Sequence, residues 1–129
     1  MKCKKFDDDR GYFQEIFRND VLEFPVGQVN LSKSHKNVLR GLHIASYPKL
    51  CTCVRGRLWD VYVDLRQDSK TFRQWFSCEL SEENHEQFLI PAGCAHGFLS
   101  LEDDSCLLYL QGDVWKPEDD RGLRWNDPE

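Results

Sequence analysis

The sequence predicts an all-β fold, a sandwich or a barrel, and three observations carry that reading. Strand-like apolar runs recur about every ten residues along 129 positions. Turn residues separate them at Asp9-Arg10-Gly11, Arg55-Gly56, Ser81 to Asn84 and Pro91 to Gly93. No long amphipathic helical pattern interrupts the series. The length fits one domain, residues 1–129.

The elements follow in order. Tyr12 to Phe17 is an aromatic-rich strand, and Asn19 to Phe24 makes one helical turn that Pro25 stops. Gln28 to Ser32 alternates polar and apolar residues as a strand does. In Val38-Leu39-Arg40-Gly41-Leu42-His43, period-2 alternation places Leu39, Gly41 and His43 on one face, so a histidine shares the inside of the sheet with a buried leucine. Lys49 to Val54 is the next strand. Leu58 to Leu65 carries Asp60, Tyr62 and Asp64 on one face and Trp59, Val61, Val63 and Leu65 on the other. Thr71 to Leu80, Gln87 to Ile90, His96 to Leu101 and Cys106 to Gln111 complete the strands, and Val114 to Glu129 is a polar tail.

Hydrophobic residues make up 40% and charged residues 30%, an ordinary water-soluble mix. No apolar run reaches the roughly 20 residues of a membrane span, and the amino terminus lacks the apolar core of a signal peptide, so a cytoplasmic protein is expected. Cys3, Cys51, Cys53, Cys78, Cys94 and Cys106 are therefore expected as free thiols. A net charge of −5 disfavours a nucleic-acid binder, yet a few focused cations can still hold a phosphorylated small molecule.

His43 and His96 stand on strands far apart in the chain, and only a rolled-up sheet brings them together. Pro91-x-Gly93-x-x-His96 resembles the second half of the cupin signature. The residue two after His43 is Ala45, where a metal cupin has histidine, so the first shell of a metal is incomplete and no metal is expected. Without one, a histidine is most useful as a general base, because its ordinary pKa lies near neutrality. Tyr109 can supply an acid and Lys49 a cation, and the three together describe proton abstraction next to a carbonyl.

The residues resemble the dTDP-4-dehydrorhamnose 3,5-epimerase family. The blocks are Phe6-x-Asp8-x-Arg10-Gly11-x-Phe13-x-Glu15, Gln28-x-Asn30-x-Ser32, Val38 to His43, Asp60-Val61-x-Val63-Asp64-Leu65-Arg66, Ile90-Pro91-x-Gly93-x-Ala95-His96-Gly97-Phe98 and Arg124 to Pro128. The resemblance implies an all-β cupin jelly-roll barrel, dimeric through its edge strands, with a nucleotide-diphosphate sugar as substrate and no cofactor. It implies His43 as base, Tyr109 as acid and Lys49 as stabiliser of the enolate oxygen. Arg40 and His96 would contact sugar or diphosphate, Gln28 and Asn30 would line the pocket, and Trp115 would stack near the nucleotide, its alternative being a rim aromatic. Arg10 and Glu15 would reach a partner's nucleotide, with pairing to Asp8 or Asp9 the alternative for Arg10.

Three departures from the family shape the expectation. The loop from His43 to Lys49 is short and reads Ile44-Ala45 where relatives carry a Tyr/Phe-Gln pair, which leaves nucleotide and sugar open. Both ends are also short, and the family's carboxy-terminal segment supplies an aspartate that orients the catalytic histidine. Asp60 is expected to take that part for His43, with a salt bridge to Lys49 as its alternative. Two other activities remain open, a 3,4-ketoisomerase and a non-catalytic nucleotide-sugar-binding cupin. The ketoisomerases carry a second histidine soon after the first, and Ala45 argues against that one.

Overall fold

A computed structural model describes residues 1–117 and the backbone of Arg121–Gly122. Its strands are β1 (Lys4–Asp8), β2 (Gly11–Glu15), β3 (Gln28–Ser34), β4 (Leu39–Ile44), β5 (Lys49–Arg55), β6 (Arg57–Asp64), β7 (Trp75–Ser81), β8 (Gln87–Ile90), β9 (Cys94–Ser100), β10 (Ser105–Gln111) and β11 (Arg121–Gly122). A β1–β2 hairpin stands beside a four-stranded sheet in the order β3-β10-β5-β8 and a five-stranded sheet in the order β11-β4-β9-β6-β7. Every pairing is antiparallel. Two facing antiparallel sheets with long crossovers between them make the all-β jelly roll. No helix among the described residues is long and apolar enough to cross a membrane.

The core fills the space between the sheets with Cys51, Cys53, Leu58, Leu80, Ile90, Cys94, Phe98 and Leu107. Strand β5 is buried on both faces. Its outer face carries Leu50, which packs with Leu110 under Phe24, while Ile16, Phe17 and Leu22 close over them. The segment after β2 therefore covers the outside of the four-stranded sheet. It closes one turn through Leu22 N–H donating to the Arg18 carbonyl, and does not extend into a helix. Fully buried leucines of this kind typically cost about 2–5 kcal/mol when cut to alanine.

Three local expectations are corrected. Leu39 does not share an inward face with His43, for Leu39 is 44% exposed. The β4–β9 register shifts between Arg40 and His43, and that irregularity breaks the two-residue period. Gly41 sits at φ +119°, where a Cβ would lie 2.6 Å from Gly97 Cα, and a Cβ on Gly97 would lie 2.7 Å from the Arg40 carbonyl oxygen. Glycine on both strands is what lets them approach so closely. Residues 71–74 are not strand but turn, and β7 begins at Trp75. Buried Asp64 draws that turn inward. It accepts hydrogen bonds from the Arg66 guanidinium at 2.9 and 3.0 Å, from Ser69 Oγ at 2.6 Å and from the Thr71 hydroxyl. Chiefly through Arg66, these donors hold the Asp64 carboxyl well below the usual carboxylate range. A further strand, β1, carries no strand pattern in the sequence, being five mostly charged residues whose only apolar member is Phe6.

Candidate active site

The five-stranded sheet presents β4 and β9 to the interior, and the four-stranded sheet presents β5 and β10. His43 and His96 are register partners on the first pair of strands. On the second pair, Lys49 faces Gln111 and Tyr109 faces Cys51. Side chains two apart share a strand face, so Lys49 and Cys51 point the same way, as do Tyr109 and Gln111. Between the sheets lie two adjoining hollows. One, of about 330 Å³, is lined by Ser32, Arg40, Gly41, His43, Lys49, His96, Gly97, Phe98, Leu107 and Tyr109. The other, of about 240 Å³, is bounded by Ile44, Ala45, Tyr47, Gln111 and Trp115 beside the same His43, Lys49 and Tyr109. These three side chains form the wall common to both hollows.

The electrostatics differ from group to group. Burial pushes the Lys49 ammonium below its ordinary pKa, against an upward pull from Cys51 and Asp60. Burial pushes the Tyr109 phenol above its own. The Arg40 guanidinium is fixed while it lines the hollow, donating to Ser34 Oγ at 2.8 Å and to the Lys33 carbonyl at 3.2 Å.

Gln28 and Asn30 are absent from both linings. They form an amide ladder behind the second hollow, in which Gln28 donates to Asn30 Oδ1 at 2.9 Å and Asn30 donates to Gln111 Oε1 at 2.8 Å. The Trp115 backbone N–H donates to Gln28 Oε1 at 2.9 Å, so the ladder fixes the chain that carries this rim indole. Arg10 stands at the exposed tip of the β1–β2 hairpin, bonded to Asp8 Oδ2 at 2.7 Å, and Glu15 lies 3.7 Å from Arg18. Neither Arg10 nor Glu15 lines either hollow of this chain.

Asp60 is wholly buried, and the hydrogen bond it makes goes to His96 Nε2 at 2.5 Å. The expectation that it orients His43 is corrected: the imidazole it holds is that of His96. His96 and Asp60 lie diagonally across the β6–β9 pairing, whereas His43 stands one strand further away. The block Arg124 to Pro128 lies outside the described residues.

Several side chains at the site carried no assignment from sequence. Ser32 lines the first hollow with a buried hydroxyl that has no hydrogen-bond partner, so it is free to meet a ligand. The alternation of Gln28-x-Asn30-x-Ser32 already placed it on that face. Tyr47 and Gln111 border the second hollow, Tyr47 in a short loop where no period applies and Gln111 at a strand end on the face of Tyr109. Cys51 packs 3.8 Å from His96 Nε2, on a strand whose burial on both faces erases the polar–apolar pattern.

The comparisons fit this geometry. The whole chain, residues 1–129, matches the family model described as dTDP-4-dehydrorhamnose 3,5-epimerase. It is 42% identical over 138 residues to the dTDP-4-dehydrorhamnose 3,5-epimerase of Sinorhizobium fredii, covering 99% of this chain and 71% of that protein. It is also similar to the crystal structure of the Bacillus anthracis dTDP-4-dehydrorhamnose 3,5-epimerase with TDP and pyrophosphate bound. There the TM-score is 0.93 at 38% identity, over 98% of this chain and 78% of that one. A Legionella pneumophila dTDP-6-deoxy-D-glucose-3,5-epimerase in complex with dTDP-4-keto-L-rhamnose superposes with a TM-score of 0.92 at 39% identity, over 98% of this chain and 72% of that one.

Proposed function

Because this chain belongs to the dTDP-4-dehydrorhamnose 3,5-epimerase family, we propose that it inverts C3, C5 or both of a nucleotide-linked 4-keto-6-deoxy sugar. The observation that carries this reading is the wall shared by the two hollows, where His43, Lys49 and Tyr109 meet. His43 takes the proton from the carbon next to the C4 ketone, and the C–H electron pair moves into the ring to make the enolate. The Lys49 ammonium stabilises the charge that develops on the C4 oxygen. Tyr109 then delivers its hydroxyl proton to the opposite face of the same carbon. Burial keeps this phenol protonated and so able to donate. C3 and C5 both flank the ketone, so one set of groups serves either centre.

Arg40 and His96 are placed to meet the sugar or its diphosphate, and Trp115 to lie against the nucleotide. The proposed assembly is a homodimer. In support, β3 is an edge strand with Val29 and Leu31 exposed, and Phe6, Tyr12 and Phe13 stand exposed on the hairpin. Arg10 and Glu15 of that hairpin would then serve the partner's nucleotide. The six cysteines are all free, which supports a reducing, cytoplasmic setting.

The test is deuterium uptake from heavy water across a panel of nucleotide-linked 4-keto sugars in the presence of a strong chelator. Deuterium at C3, C5 or both, with the ketone still at C4, is the expected result. A migrated ketone would mean ketoisomerisation. Absence of exchange over the whole panel would mean a binding protein. Activity lost to chelator and restored by one metal would overturn the cofactor-free mechanism.

Asp60→Asn supplies a second check. The carboxylate positions His96, which meets substrate and is not the base. We therefore expect kcat/KM to fall about 10- to 100-fold, with much of the loss in KM, as for other orienting partners of a functional histidine. Unchanged kinetics would remove Asp60 from the site. A loss confined to kcat would return it to the service of His43.

A further inference from the structure

Beneath the larger hollow three buried groups converge on one point. Cys51 and Asp60 are fully buried and His96 nearly so, and one potential ligand atom from each lies within 4.8 Å of the others. Cys51 Sγ stands 3.8 Å and Asp60 Oδ1 2.5 Å from the same nitrogen, His96 Nε2. A proton relay from thiol through imidazole to carboxylate would address the two ring nitrogens separately. Here thiol and carboxylate meet at one of them, the arrangement of ligands around a shared centre. The other Asp60 oxygen, Oδ2, is buried without any hydrogen-bond partner, a condition that proteins seldom tolerate unless something else satisfies the group.

We propose that Cys51, Asp60 and His96 form a binding site for one thiophilic divalent cation of the zinc type, and that its occupancy inhibits the reaction in the hollow above. Thiolate, carboxylate and imidazole are a zinc donor set, and in tetrahedral zinc sites such donors stand about 3 to 4 Å apart. The sulfur–nitrogen separation already matches. The carboxylate has to withdraw from its 2.5 Å contact with His96 Nε2 to reach that range, and the unpartnered Oδ2 then gains the ion as its partner. Thiolate and carboxylate together neutralise a dication, so the buried site carries no net charge once loaded. Three protein ligands leave a fourth position, and His96 opens it toward the hollow it lines. Inhibition follows because the ion removes the His96 imidazole from substrate and sets a cation near Lys49.

The metal-free thiol is neutral, since burial pushes its pKa well up and Asp60 adds to that. Binding must therefore release the Cys51 proton and should tighten as pH rises. The charged and titratable groups around that thiol are Lys49, Asp60, His96 and Tyr109.

The binding part stands without the epimerase reading, whereas the inhibition rests on it, so the two are measured separately. Intact protein is titrated with Cd²⁺, whose thiolate charge-transfer absorption reports a metal–sulfur bond, and with Zn²⁺ in competition. The parent should take up one equivalent with proton release. Cys51→Val, close in volume and apolar, should lose the absorption and weaken binding by about tenfold or more. Cys51→Ser is the second variant and should lose the same absorption. No absorption in the parent overturns the site, and so does equal absorption in both variants, which would place the metal on another of the six cysteines. In the exchange assay Zn²⁺ should slow the parent and leave Cys51→Val unaffected. Binding without slowing would leave the metal site and overturn the inhibition.

Discussion

His43→Ala or His43→Asn should lower deuterium exchange by about 10²- to 10⁴-fold, the usual contribution of a positioned base, and leave the fold intact. The expectation rests on where β4 puts the residue. His43 stands on the wall between the two hollows, with Lys49 and Tyr109 across from it on the opposite sheet. A base and an acid on facing sheets can address opposite faces of a sugar ring between them, which is what inversion requires. The fold should survive because the side chain is exposed and the strand is held by its backbone pairing to β9. Asparagine keeps the polarity of the site and removes only the ability to take a proton. Circular dichroism and the melting temperature should match the parent. Residual exchange above about a tenth of the parent rate would exclude His43 as the sole base, given that range. His96, its neighbour across the strands, would then be the group to replace next.

Much of this site was legible in the sequence, for identifiable physical reasons. Strands with short turns report themselves through period-2 patterning, so the order of β2 to β10 followed from composition. That His43 and His96 would meet followed from the need of a β-sheet to close on itself. What escaped depends on three-dimensional pairing. The shifted register beside Gly41 put Leu39 outside, and its cause lies in another strand, at Gly97. The turn at residues 71–74 looked like strand because Thr71 and Phe72 are strand formers, yet the turn is set by Asp64, several residues earlier. In β6 the alternation divided the faces correctly, and the polar face with Asp60 and Asp64 is the one that turns inward while Trp59 faces out at 40% exposure. Asp60 was foreseen as an orienting carboxylate, but its partner was decided by a diagonal across β6 and β9 that no linear spacing reveals.

Lys49→Met should lower kcat by about 10²- to 10³-fold, the cost of removing one donor from a developing oxyanion, with little change in KM. Only 9% of Lys49 is accessible, and desolvation pulls its pKa below the ordinary lysine value. An ammonium kept in so dry a place is stabilised least before reaction and most when the enolate appears beside it, which is the differential that accelerates a step. Methionine keeps the length of the apolar stem and removes only the charge, so packing under the hollow is preserved. The desolvation cost disappears with the charge, and the melting temperature should stay level or rise. The pH profile gives an independent reading. Lys49 has a folded-state pKa below its ordinary value, so the active ammonium is lost as pH rises through that lowered pKa. Tyr109, raised by burial, keeps its proton to higher pH. The alkaline limb of the parent should therefore fall below the ordinary lysine pKa of about 10.4, and it should vanish in Lys49→Met until Tyr109 itself ionises. A methionine variant with parental kcat, or one that retains the same alkaline limb, would show that the enolate is stabilised by another group, with Arg40, a cation that lines the first hollow, the next to replace.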